Sequence, residues 1–221
     1  NTGNILYHNN GDLTFSDVSY ESGTNLEYSS MGLAVGDYDG NGYLDIYITN
    51  MDEGNGLLKN EGDGTFTNVA TSLGVQVNKI TWGTVFFDYD NDGFTDLHVA
   101  SACAPEFPVC NPDLPTYNPA VDNKDMLYKN QGNGSFLDIS AASGLDGNYQ
   151  NYSSTVGDID NDGFMDIYIL SEDITSRLYK NMNVYTSTNN WIQLKLIGTI
   201  SNRNAIGARV ELITNDHHQI Q

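Results

Sequence analysis

Basic side chains are scarce in this chain: nine Lys and Arg stand against 29 Asp and Glu, giving a formal charge of −20 over 221 residues. Phosphate recognition needs clustered Lys and Arg, so nucleic acid is disfavoured as a partner. Long apolar runs are missing too. No segment approaches the roughly 18–20 apolar residues of a membrane span, and no signal-peptide pattern opens the chain. Sustained 3.6-residue periodicity is absent, so no long helix is expected. Catalytic signatures are also lacking: there is no Gly-x-Ser-x-Gly elbow, no glycine loop for a phosphate and no His-x-x-x-His pair. The chain is therefore expected not to be an enzyme.

What the chain does have is a short acidic motif in three copies: Asp37-Tyr-Asp-Gly-Asn-Gly-Tyr-Leu-Asp45, Asp88-Tyr-Asp-Asn-Asp-Gly-Phe-Thr-Asp96 and Asp158-Ile-Asp-Asn-Asp-Gly-Phe-Met-Asp166. Oxygen ligands fall at positions 1, 3, 5 and 9, with glycine at position 6. A hard cation such as Ca²⁺ takes six to eight oxygens at about 2.3–2.6 Å. Alternate residues of a tight loop can aim carboxylates at one point, and glycine permits the turn. The expected ligands are Asp37, Asp39, Asn41 and Asp45; Asp88, Asp90, Asp92 and Asp96; and Asp158, Asp160, Asp162 and Asp166. The backbone carbonyls of Tyr43, Phe94 and Phe164 supply position 7. Three Ca²⁺ sites are thus expected, the first the weakest because Asn41 replaces an aspartate. An EF-hand is excluded, since it needs a glutamate at position 12 and flanking helices. Position 12 here is Ile48, Val99 or Ile169, within short β-branched and aromatic runs that read as strands.

A second motif alternates with the first: Leu6-Tyr-His-Asn-Asn-Gly-Asp-Leu-Thr-Phe15, Leu57-Leu-Lys-Asn-Glu-Gly-Asp-Gly-Thr-Phe66, Leu127-Tyr-Lys-Asn-Gln-Gly-Asn-Gly-Ser-Phe136 and a shortened Leu178-Tyr-Lys-Asn181. Each reads as a hairpin. Both motifs repeat at 51 and then 70 residues, stretched by the same insertion. Four short strands per period of this length predict all-β architecture, with four-stranded antiparallel blades of a β-propeller. The chain holds two complete blades, an outer hairpin before them and most of a further blade. It is expected to be a fragment or to be completed by other chains, with open blade edges that invite self-assembly.

The insertion, 101–124, contains every proline and both cysteines. Cys103 and Cys110, seven residues apart, are expected to form a local disulfide; two free thiols are the alternative. Two sequons, at Asn133 and Asn151, are candidate N-glycosylation sites. His98 and His8 occupy repeat positions held elsewhere by Tyr or Lys and read as structural variants. Net charge changes sign after residue 175, and the repeat is lost after Asn181, so the propeller segment is assigned to 1–181 and a second β domain to 182–221. Trp191–Ile197 alternates as a strand, with Ala208–Thr214 as its expected neighbour.

The Asp-rich loops followed by Asp-Ile-Tyr-Ile, together with the Leu-Tyr-Lys-Asn…Gly-Asp-Gly-Thr-Phe hairpins, resemble the FG-GAP/VCBS repeats of integrin-alpha-type β-propellers. The segment from Asn189 to Val210 resembles the start of an ASPIC/UnbV domain, a pairing found in the cartilage acidic protein family and bacterial relatives. The resemblance implies calcium at each loop and, with the cysteine pair, an extracellular or cell-surface location. The function it implies is non-catalytic adhesion or recognition of a protein or carbohydrate ligand. Two alternatives are a structural subunit of an extracellular filament or assembly, and an accessory part of a polysaccharide-active enzyme.

Overall fold

A computed structural model of the chain describes residues 3–51, 54–103, 110, 118, 122–172, 175–183, 189–200, 202–213 and 218–220. Within them the chain is all-β apart from short turns of helix. A hairpin, β1 (Tyr7–Asn9) and β2 (Phe15–Asp17), comes first, followed by the single-turn helix α1 (Ser19–Ser22). The first full sheet is β3 (Ser30–Gly36), β4 (Asp45–Asn50), β5 (Gly56–Asn60) and β6 (Phe66–Asn68), paired antiparallel in that order. The second repeats it with β7 (Thr81–Phe87), β8 (Asp96–Ser101), β9 (Met126–Asn130) and β10 (Phe136–Asp138). After helix α2 (Ser140–Ser143), a third sheet follows of β11 (Asn151–Gly157), β12 (Asp166–Ser171) and β13 (Arg177–Tyr179). These are propeller blades in the order and number that the repeat predicts.

The three innermost strands, β3, β7 and β11, lie side by side. Each carries a register shift near its start, at Ser30/Leu33, Thr81/Thr84 and Asn151/Ser153. The strands touch closely there. A Cβ on Gly32 would lie 2.3 Å from the Trp82 carbonyl oxygen, and one on Gly83 would lie 2.6 Å from the Ser153 Cα. Glycine at these two positions lets neighbouring blades meet backbone to backbone.

Burial follows the layering. Every residue of β8 is buried, because the second sheet is covered on both faces by its neighbours. One core joins the first and second blades through Tyr47, Leu57, Leu97, Val99 and Tyr128; another joins the second and third through Phe87, Leu127, Leu145, Ile167 and Ile169. β3, at the other extreme, leaves Leu33 and Val35 exposed on one face.

Cys103 and Cys110 form a disulfide with Cα atoms 5.3 Å apart, packed with Ile80 against Met51 and Trp82. The five prolines of the insertion lie outside the described residues. The tail corrects one expectation. Residues 191–197 form no strand, and β14 (Glu211–Ile213) pairs instead with β15 (His218–Ile220). Alternation alone does not make a strand; it needs a partner edge for its backbone groups. Ile192, Leu194 and Ile197 are largely exposed. Trp191 instead turns its indole onto Gly163 of the third acidic loop, where a Cβ would sit 1.9 Å from Nε1.

Candidate metal centres

Each acidic loop links the inner strand of a blade to the next strand, so all three leave their blades in the same way. The loop is built by its own carboxylates. Position 1 caps the turn: Asp37 accepts the amides of Asn41 (3.1 Å) and Gly42 (2.8 Å), Asp88 those of Asp92 (3.1 Å) and Gly93 (2.9 Å), and Asp158 those of Asp162 and Gly163 (both 3.0 Å). Position 5 accepts the amide of position 7: Asn41 from Tyr43 (2.8 Å), Asp92 from Phe94 and Asp162 from Phe164 (both 3.0 Å). Gly42, Gly93 and Gly163 have φ near +90°, closed to ordinary side chains, which explains the glycine at position 6.

Position 9 closes the loop and ties it to the sheet. Asp45 accepts Tyr38 N (3.0 Å) and Asn60 N (2.8 Å); Asp96 accepts Tyr89 N and Asn130 N at the same two distances; Asp166 accepts Ile159 N (3.1 Å) and Asn181 N (2.8 Å). The hairpin asparagine also donates its side-chain amide to the carbonyl before position 9, in Leu44, Thr95 and Met165. In two cases it reaches the preceding blade as well: Asn130 Nδ2 to Tyr38 O and Asn181 Nδ2 to Tyr89 O, both 2.7 Å. One residue thus fastens hairpin, loop and neighbouring blade.

Carboxylates converge in all three loops. Ligand atoms of Asp37, Asp39 and Asp45 lie within 4.8 Å of one another, as do those of Asp88, Asp90 and Asp96, and those of Asp158, Asp160 and Asp162. The first two clusters use position 9, and the third uses position 5. In the first two loops burial makes this costly: Asp45 is pushed up to about 7, Asp88 to about 6 and Asp96 to about 8, despite the amides that oppose the shift. In the third, Asp160 and Asp162 are exposed, and the hydrogen bond from Lys180 holds Asp160 below its ordinary value. Converging carboxylates are the donor set of a hard divalent cation, so the residues fit one.

The spacing of the two motifs conceals a further partner. Lys59 lies 2.9 Å from Asp39; Lys129 bridges Asp90 and Asp92, the latter at 2.9 Å; and Lys180 bridges Asp160 and Asp162, the latter at 3.5 Å. Neither these lysines nor the hairpin asparagines were sequence-level candidates. Their signal was present in the constant offset between loop and hairpin.

The two sequons part company. Asn133 is exposed at a hairpin turn, where its Oδ1 accepts Ser135 N (3.1 Å) and Oγ (2.7 Å). Asn151 is a correction: it is 2 % exposed, donates Nδ2 to Asp125 (2.8 Å) and accepts Ser171 Oγ (2.6 Å). An amide nitrogen enclosed in that way has no room for a glycan in the folded chain. On the opposite side of the blades from the loops, Met31, Trp82 and Tyr152 surround a depression of about 360 Å³, with the Trp82 and Tyr152 rings 4.8 Å apart.

The model of the FG-GAP-like repeat matches residues 1–48, 37–99 and 117–169, well over half of the chain. The chain belongs to the FG-GAP-like repeat family. It is 35 % identical over 88 residues to cartilage acidic protein 1 of Xenopus tropicalis and 33 % identical over 88 residues to that of Homo sapiens. The match takes in 39 % of this chain but 14 % and 13 % of those proteins, so this FG-GAP chain spans only a small part of their length. Among solved structures, a Trypanosoma rangeli sialidase in complex with the inhibitor DANA aligns with 79 % of the chain and 26 % of its own at 11 % identity (TM-score 0.45). An Agrocybe aegerita lectin, described for recognition of non-reducing terminal N-acetylglucosamine, aligns with 87 % and 46 % at 19 % identity (TM-score 0.41).

Proposed function

We propose that this FG-GAP segment binds three Ca²⁺ ions and serves as a non-catalytic, extracellular recognition module for a protein or carbohydrate ligand. The observation that carries the reading is the convergence of carboxylates within 4.8 Å in three loops of one design. The ligands would be Asp37, Asp39, Asn41 and Asp45, then Asp88, Asp90, Asp92 and Asp96, then Asp158, Asp160, Asp162 and Asp166. The position-7 carbonyls of Tyr43, Phe94 and Phe164 would complete each set. Bound calcium supplies positive charge that relieves the mutual repulsion of these groups. The chain's own residues do the rest: position 9 and the hairpin asparagine lock the loop to its neighbours, so recognition surfaces become rigid when the loops are neutralised.

The Cys103–Cys110 disulfide supports an oxidising, extracellular setting. Trp82 and Tyr152 offer ring faces of the kind that sugars and apolar side chains stack on, at the end of the blades away from calcium. Trp82 is held by its indole nitrogen on the Ala102 carbonyl (3.0 Å) beside the disulfide, so the shelf is rigid.

Binding to immobilised glycans and matrix proteins, measured in calcium and in chelator, tests the proposal. Ligand capture that needs calcium and weakens with Trp82→Ala is the expected result. Capture indifferent to both would count against it, and turnover of glycoside substrates would overturn the non-catalytic reading.

A further inference from the structure

Three of the nine Lys and Arg residues of this acidic chain stand at the three acidic loops, at the same repeat position. Lys59 lies on β5 and Lys129 on β9; Lys180 directly follows β13. Each reaches across to position 3 of the loop in its own blade. Where position 5 is an aspartate, the ammonium contacts that carboxylate too. In the first loop, where Asn41 stands at position 5, Lys59 meets only Asp39.

An exposed ion pair on a surface contributes little, about 0–1 kcal/mol. These are different in placement, because their carboxylates are the ligands of the proposed metal. Lys129 is also three-quarters covered, with its ammonium 5.6 Å from the centre of the Tyr89 ring.

We propose that Lys59, Lys129 and Lys180 are tethered counter-cations of the calcium loops. In the metal-free state each holds the outer carboxylates together; in the metal-bound state its charge lowers the affinity of the loop. The inference rests on the calcium reading above and adds to it a built-in competitor. The sign follows from electrostatics: a fixed positive charge at contact distance from the ligand oxygens repels an incoming divalent ion, whatever order it lends to the side chains. With its lysine counted, the first loop keeps two net negative charges and the other two keep three each. Affinity is therefore set jointly by loop and hairpin, and binding is coupled to the strand from which the lysine extends.

The test is calcium titration calorimetry on the whole chain after chelator removal. It compares wild type with a triple Lys59→Met/Lys129→Met/Lys180→Met variant and a triple Lys→Arg variant. Methionine retains the stem that packs along the hairpin and removes the charge. The expected result is calcium uptake about tenfold tighter in the methionine variant, the scale of one fixed charge at contact distance in partly solvated surroundings. The arginine variant should stay close to wild type. Unchanged or weaker affinity in the methionine variant overturns the proposal while leaving the calcium reading intact. A wild-type chain that takes up no calcium overturns both. Should the triple variant fail to fold, Lys180→Met alone, at a half-exposed side chain, gives the same readout.

Discussion

The interfaces between the first and second blades and between the second and third share one backbone plan but differ in their buried polar groups. In the first, Asn55 Oδ1 accepts Asn50 N (3.1 Å) and Thr81 Oγ1 (2.7 Å), and its amide donates to Tyr47 Oη (2.9 Å). One repeat on, Asp125 replaces Asn55 and His98 replaces Tyr47. Asp125 accepts Ser101 N (2.9 Å) and Asn151 Nδ2 (2.8 Å), and His98 Nε2 faces its Oδ2 at 3.4 Å. His98 Nδ1 meets Ser154 Oγ at 3.1 Å, and both His98 and Asp125 are fully buried. The neutral Tyr–Asn–Thr set and the ionisable His–Asp–Asn set occupy the same three positions. A donor at one position is matched by an acceptor at the next, so these residues can change only as a group.

The same comparison can be made among the loops, and there the largest effect is expected. Asp96→Ala removes the acceptor of two backbone amides, from Tyr89 and Asn130, in a buried setting. A cost of about 2–5 kcal/mol in chemical denaturation follows from two orphaned donors. Asp92→Ala, with its partly exposed position, should cost far less fold stability while still weakening the metal site.

A smaller effect separates the two interfaces. His98→Tyr alone is expected to destabilise by about 1–3 kcal/mol, because the phenol oxygen would lack the donor that Asn55 Nδ2 gives Tyr47 at the first interface, the side chain of Asp125 having no N–H to offer. Adding Asp125→Asn and Asn151→Thr transplants the first interface into the second and should recover most of that loss. Additive losses across the three substitutions would show that the sets are independent, and the comparison would break.

Calcium and pH come next. At free calcium ten times Kd, each site adds about 1.4 kcal/mol by mass action, read as a rise in melting temperature that chelator reverses. Without metal, Asp45, Asp88 and Asp96 bind protons more tightly folded than unfolded, with values of about 7, 6 and 8. Their stabilising contribution is complete below about pH 4 and is lost as pH rises toward 8. Melting in chelator should therefore fall across that window, and saturating calcium should flatten or reverse the slope. The smallest effect expected is Asn41→Asp, which restores the missing charge of the first loop and should tighten that loop severalfold, seen in calorimetry as convergence of its affinity with the others.

Much of this was readable in one dimension. The 51- and 70-residue spacing located the blades, and Asp and Gly at fixed offsets located the loops, because a metal loop is a local object. The roles of Lys129 and Asn130 were not, since the loop they reach lies 34–39 residues away and Tyr38 lies 92 away. Asn151 was misread for a related reason: a sequon is a three-residue pattern, whereas burial against Asp125 is tertiary. Residues 191–197 have the alternation of a strand, yet pairing is a property of two segments, and Glu211–Ile213 found another partner.

The central claim is that each loop of this chain holds one calcium ion. Equilibrium dialysis of the whole chain against radioactive calcium measures that directly, with the Asp88→Ala/Asp90→Ala variant beside it. The account predicts three ions per wild-type chain and two in the variant. Uptake of no calcium, or a variant that still takes up as many ions as wild type, would contradict it.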